Sequence, residues 1–387
     1  MPLHVPEKLP GFRTAAWIER KAQNISDPIE RLKYLRQATA GRAPSRFGWA
    51  PVRLGWEPIA ALCLVAVLLS MRSDAHFRRQ AEIPRRVSST RAQAELPNVW
   101  RIEETKDFEV YSNGLRIENQ LAVANKPRSY QLVSTSLGLG KGMEWGPRRS
   151  QPAGIVFHTT ESDQAPFERT RQHDLHRIGQ ETLLFVRNKR AYHFVIDRFG
   201  RVHRIVVESD AANHAGNSVW ADSQWLYLEL NQSFLGVSFE ASMQTDQAPI
   251  NEAQIHAARV LTEMLRSKYN IAAENCITHA QVSVNPDNMQ IGYHTDWAAN
   301  FPFREVGLPD NYARPLPGLY LCGFVYDRSY VASTGPRILA AIELSEERLA
   351  EAAARRHTNA ASYREYLQQE YRKNIRALKK ETPQGDA

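Results

Sequence analysis

The feature that most restricts the fold of this chain is a regular exchange of two periodicities between residues 154 and 278. The apolar run Gly154-Ile155-Val156-Phe157 reads as a strand that ends at His158. A helical stretch over 167–186 follows it. Residues 192–207 read as a hairpin around Arg198-Phe199-Gly200, with Tyr192, Phe194 and Ile196 on one face. Residues 235–240 are a further strand that sets Ser238 and Glu240 on the same side. A helix over 251–269 opens with the capping box Asn251/Gln254, and Ile255, Ala258, Leu261 and Leu265 stripe it. Alternating strands and helices predict the α/β class: a central mixed β-sheet flanked by helices.

The last strand of this series, Cys276-Ile277-Thr278, delivers His279 into a loop that later presents His294, Thr295 and Asp296. Two imidazoles and a carboxylate on one loop suggest metal ligands. A catalytic zinc takes three protein ligands and keeps one position open, so a ligand on a rigid element is wanted as well. His158, at the end of the 154–157 run, is the candidate. His173 and His176, three apart on the 167–186 helix, make a rival pair, but such pairs on a polar helix are more often solvated.

The flanks divide by composition. Residues 1–53 are a basic segment with short helices, in which Asp27-Pro28 opens a turn that places Ile29, Leu32 and Leu35 on one face. Residues 54–71 carry no charge but Glu57 and would form roughly 27 Å of helix, near the hydrocarbon thickness of a bilayer. That run reads as a transmembrane anchor; a buried core helix is the competing reading. An Arg-rich stalk spans 72–100. The folded region is 101–310, with its core at 150–305, and it starts in a hairpin turning at Ser112-Asn113-Gly114. A Pro-rich connection and helical tail fill 311–387, with Ser345 opening one helix and Tyr363, Leu367, Tyr371, Ile375 and Leu378 striping another.

Charge and cysteine count narrow the partners. The chain carries +7, and residues 1–57 account for +5 of it through ten Lys/Arg against five Asp/Glu. The excess therefore sits mainly outside the folded region, with no zinc-finger spacing or basic-aromatic motif, which argues against nucleic acid and for an anionic surface. Cys63, Cys276 and Cys322 are too few for a disulfide framework. Cys276 and Cys322 are read either as one bridge or as two unpaired apolar residues.

Taken in order, GIVFHTTES, AYHFVIDRFGRVHRIV, ANHAGNS, LGVSFE, the capped helix and TH followed by HTDW resemble one family. It is the zinc-dependent N-acetylmuramoyl-L-alanine amidases, with the related peptidoglycan recognition proteins. The resemblance covers about residues 150–305 and implies one Zn²⁺ held by His158, His279 and Asp296. The inserted NPDNMQIG lengthens the gap before Asp296 and leaves His294 as the substitute ligand. Tyr192 matches a tyrosine placed beside the zinc water, and His294 stands where many relatives carry an oxyanion-stabilising lysine. Ser238 replaces the glutamate of cytosolic members, while Asn213 and His214 match a loop that contacts the muramyl peptide. The resemblance implies cleavage of the amide between N-acetylmuramic acid and L-alanine in peptidoglycan; a binding module that holds muramyl peptide without cutting it is the alternative. The substrate favours an inner-membrane protein with its catalytic domain outside the cytoplasm, although three Lys/Arg before the anchor and six after it favour the opposite orientation. A cytoplasmic enzyme is the alternative there. The oligomeric state is not legible.

Overall fold

A computed structural model describes residues 98–135, 145–243 and 249–381. The expected N-terminal helices, the anchor at 54–71 and almost all of the stalk lie outside the described residues. Among the described residues no helix is long and apolar enough to cross a membrane.

The hairpin region forms β1 (Arg101–Glu104), β2 (Phe108–Tyr111) and β3 (Arg116–Glu118), an antiparallel meander. Its tight turn uses Gly114 at φ 84, a conformation that costs glycine little. β4 (Val133–Ser134) belongs to a small side sheet with β8 (Val219–Ala221) and β9 (Trp225–Leu228). The central sheet has eight strands in the order β1-β2-β3-β7-β6-β10-β5-β11, where β5 is Gly154–Thr159, β6 Phe194–Ile196, β7 Val202–Arg204, β10 Phe234–Phe239 and β11 Cys276–Thr278. β6, β10, β5 and β11 are mutually parallel, and β7 runs against β6. The mixed α/β class expected from the periodicities is the one observed.

Every residue of β5 and β10 is buried, as their apolar runs require of strands covered on both faces. The first helix, α1 (Gln172–Asn188), follows a 3-10 turn at Arg169–Arg171, so it starts later than its periodicity indicated. After the short α2 (Leu230–Ser233), α3 (Glu252–Tyr269) begins with the expected capping box, both arms of which are made. On one side of the sheet Ile155, Phe157, Phe239, Leu261 and Leu265 join Trp297 and Phe301 in the main core. On the other, Val156, Phe234 and Ile277 pack with Leu132, Trp220 and Tyr227. Each such side chain contributes about 1.5–3 kcal/mol when fully buried.

After β11 come α4 (His279–Val282), the two-stranded hairpin β12 (Val284–Asn285) and β13 (Gln290–Ile291), α5 (Pro317–Cys322), α6 (Arg328–Arg355) and α7 (Ala360–Glu381). The segment read as a Pro-rich connection and helical tail is buried in the same core: Phe324, Ile338, Leu349, Leu367 and Tyr371 join the cluster of Phe157. Ser345 does not open a helix. Asp327 does, its side chain accepting from Tyr330 N at 2.7 Å, and the helix continues past a break at Gly335-Pro336. Ser345 lies inside it, its hydroxyl donating to Ala341 O at 2.6 Å and accepting from Leu316 N at 2.7 Å. Cys276 and Cys322 are both buried and both free, so the unpaired reading holds for them.

Candidate metal centre

The three residues singled out as ligands meet although they come from three separate elements. His158 is the fifth residue of β5 and shares the face of Val156 by the two-residue period. β11 pairs with β5 through Ile277 opposite Val156, which brings the chain end of β11 alongside His158. His279 follows at once as the first residue of α4, where Thr278 and Gln281 close a capping box that fixes the turn. Asp296 arrives from the later loop and is tied down on both sides. Its carbonyl accepts from Ala280 N at 3.2 Å, and Trp297, next in sequence, is fully buried against Phe239 and Phe301. One donor atom from each of the three lies within 4.8 Å of the others.

Hydrogen bonding around these residues tests whether they suit a cation. His158 and His214 are both buried. Burial, together with the nearby His279, pulls His158 down to about 4 against the opposing pull of Asp296. Burial and His158 push His214 well below its ordinary value, so both rings are neutral at pH 7. His214 Nε2 faces the Phe234 carbonyl at 3.3 Å, which can only accept, so that nitrogen carries the proton. His214 Nδ1 is then the acceptor for His158 Nε2 at 3.1 Å, and His158 Nδ1 is left with a bare lone pair. That lone pair faces Asp296 Oδ2 at 3.2 Å, two acceptors turned to one point. His279 Nδ1 stands 2.8 Å from Asp296 Oδ1, while its buried Nε2 has no hydrogen-bond partner among the described residues. Converging acceptors around a neutral His, a second His and a carboxylate fit a divalent cation; two imidazoles with one carboxylate is a known donor set for catalytic zinc. Asp296 is held far below the carboxylate range: burial would raise it, but His279 and His158 outweigh that, so it stays anionic.

The other expected residues fall around this centre unequally. Tyr192 reaches it from a left-handed bend at φ 61, with its ring 5.1 Å from that of His158 and its hydroxyl 3.4 Å from Thr159 O. Burial, then the charge of Asp296, pushes its hydroxyl up to about 12, with Ser238 acting the other way. Ser238 is fully buried opposite His158 in the β5–β10 register, with no access for a ligand from solvent. His294 is exposed and stacks on His279 at 4.7 Å, so the substitute ligand stands over a ligand ring. Burial and His279 lower its pKa. His214 lies beneath His158 and not at the surface, packed so closely on Gly236 that a Cβ there would come within 2.6 Å of its ring. Asn213 is exposed, but its amide donates to Lys189 O at 3.0 Å and closes the end of α1. His173 and His176 are remote from any shared point with a third ligand, and His176 stacks on Phe199 instead.

Two residues that the sequence did not flag belong to the surroundings. Glu161, left-handed at φ 48, is held by Thr159 Oγ1 at 2.6 Å, Ser242 Oγ and Met243 N, close enough for its charge to act on Tyr192. Its position three after His158 is the only signal the sequence offers. Arg128 is buried and donates to the carbonyls of Glu208, Gln232, Phe234 and Asp210, clamping β10 behind His214. No sequence pattern announces a buried arginine satisfied by carbonyls.

The family N-acetylmuramoyl-L-alanine amidase (type 2) matches residues 148–296, the segment that carries His158, His279 and Asp296. No curated protein matches the chain. Similar solved structures include AmpDh3 of Pseudomonas aeruginosa in complex with anhydromuramic pentapeptide, 21% identical over 40% of this chain and 58% of its own, with a TM-score of 0.31. AmiD from E. coli with anhydro-N-acetylmuramic acid-L-Ala-D-gamma-Glu-L-Lys is 21% identical over 45% and 64%, also at 0.31. Drosophila peptidoglycan recognition protein SD is 18% identical over 42% and 84%, at 0.25. This chain thus spans less than two thirds of the first two.

Proposed function

We propose that this protein is a zinc-dependent amidohydrolase that cuts the amide between N-acetylmuramic acid and L-alanine in peptidoglycan. The observation that carries the reading is the convergence of His158, His279 and Asp296 within a segment that matches the amidase family. A zinc ion at that point would bring water to a pKa near ~7 and polarise the scissile carbonyl. The chain's own residues supply the rest. Tyr192 keeps its proton at neutral pH and serves as a donor to the oxyanion that develops on the carbonyl, not as a base. His294, at the open side of His279, offers a second N–H to the same charge. Asp296, held well below the carboxylate range by His279 and His158 despite its burial, is anionic at neutral pH and would balance the charge of a cation held there.

Purified sacculi are the test. The parent chain should release stem peptide with a new free amine, and Tyr192→Phe should lower kcat about 10²-fold with metal content unchanged. Affinity for muramyl peptide without any new amine would instead favour the binding-module reading. We further propose that the domain acts outside the inner membrane, anchored by 54–71; protease protection in membrane fractions distinguishes this from a cytoplasmic enzyme.

A further inference from the structure

The extra residues between His279 and Asp296 build something of their own. They fold as β12–β13, which lines a groove of about 430 Å³ with Asn285, Asn288, Gln290, Tyr293, Thr295 and Asp327 along its wall. The groove adjoins the metal centre. Thr295 immediately precedes Asp296, and the rings of Tyr293 and His294, then His294 and His279, succeed one another at 4.7 Å each. Tyr293 is 65% exposed, although a large aromatic side chain normally seeks cover.

The chemistry of the wall points to one kind of occupant. No lysine, arginine or histidine lines it among the described residues, in a chain of net charge +7. An acidic stem peptide would find no cation there to pair with its carboxylates. Asn288 Nδ2 donates to Gln290 Oε1 at 2.9 Å and Asn285 Oδ1 accepts from Asp287 N at 3.0 Å, and the N–H groups and lone pairs that these bonds leave over suit the hydroxyl and N-acetyl groups of neutral sugars. An exposed tyrosine adds a flat apolar face with a polar tip, on which the C–H face of a pyranose can rest. We propose that this groove is a glycan subsite, holding the sugars next to the muramyl residue whose amide lies at the metal centre. The proposal deepens the amidase reading and rests on it for the identity of the glycan.

Two substrates test it: a muramyl peptide with a single sugar, and the same peptide carried on a hexasaccharide of alternating N-acetylglucosamine and N-acetylmuramic acid. Tyr293→Ala and, separately, Asn288→Ala should raise KM for the hexasaccharide substrate about tenfold with kcat unchanged, and leave KM for the single-sugar substrate where it was. Equal shifts on both substrates, or none on either, overturn the proposal. Calorimetric titration with the peptide-free hexasaccharide separates its failure from that of the amidase reading. Binding by the full chain that weakens about tenfold in Tyr293→Ala supports a glycan subsite even if no amide is cut. No binding, or binding of the sugar-free stem peptide that Tyr293→Ala weakens, overturns it.

Discussion

A single proton on His214 determines how His158 presents itself. Because the Phe234 carbonyl fixes that proton on Nε2, His158 is driven to donate from Nε2 and to turn its Nδ1 lone pair toward Asp296. Replacing the partner of a metal-binding histidine typically costs 10–100-fold in metal affinity. His214→Leu should therefore weaken zinc binding by roughly that factor, measured by competition with a chromogenic chelator. His214→Asn, whose Oδ1 can occupy the place of Nδ1 as acceptor, should recover most of the loss. A loss shared equally by both variants would mean that His214 only fills space. The sequence pointed to His214 but not to this role, because Asn-His-Ala-Gly says nothing about which ring the imidazole will meet.

At the scale of elements, the loop that carries Asp296 is braced from the far end of the chain. Gly292, at φ 77, lets the Tyr330 ring of α6 close on the backbone just after β13, where a Cβ would come within 2.1 Å of it. Tyr330 also donates to Ala280 O at 3.0 Å, so the same side chain holds α4 beside His279. Gly292→Ala should cost on the order of 1–3 kcal/mol, since it adds both overpacking and a strained left-handed backbone. Chemical denaturation measures that cost, and an unchanged midpoint would contradict the bracing. Much of this level was readable: the hairpin at 112–114, the capped helix and the strand ending in His158 each carry their own local signal. The start of α6 was not, because Asp327 competes as a cap with Ser345 and only packing decides between them. Nor was the folding of the insertion as β12–β13, which depends on Tyr330 some forty residues later.

For the whole molecule, stability should depend on pH through a buried ionic network that ties β2 to β7. Arg204 bridges Glu109 at 2.7 Å and Glu208 at 2.9 Å, and Lys268 approaches Glu208 at 3.3 Å. Burial would raise the Glu109 carboxyl, but hydrogen bonds from Arg204 and Tyr111 outweigh it and bring it from 4.5 to about 2. A carboxyl whose folded value is depressed adds stability above its unfolded value and loses it as pH falls toward the folded one. Thermal stability should thus decline between about pH 4.5 and 2, and Glu109→Gln should flatten part of that decline while lowering stability at pH 7 by on the order of 3 kcal/mol. An unaltered acid profile in the variant would remove the network from the account. The N-terminal charge excess is likewise a matter of the whole chain, legible in composition; the anchor proposed for 54–71 rests on composition alone, and packing within the described residues does not bear on it.

The proposed chemistry depends on a cation that His158, His279 and Asp296 would hold, and metal analysis of the purified full chain beside His158→Ala tests it most directly. The account predicts one zinc per chain in the parent and loss of nearly all of it in the variant, with the fold retained by circular dichroism. Equal metal content in the two proteins, or none in the parent after zinc is supplied, would contradict it.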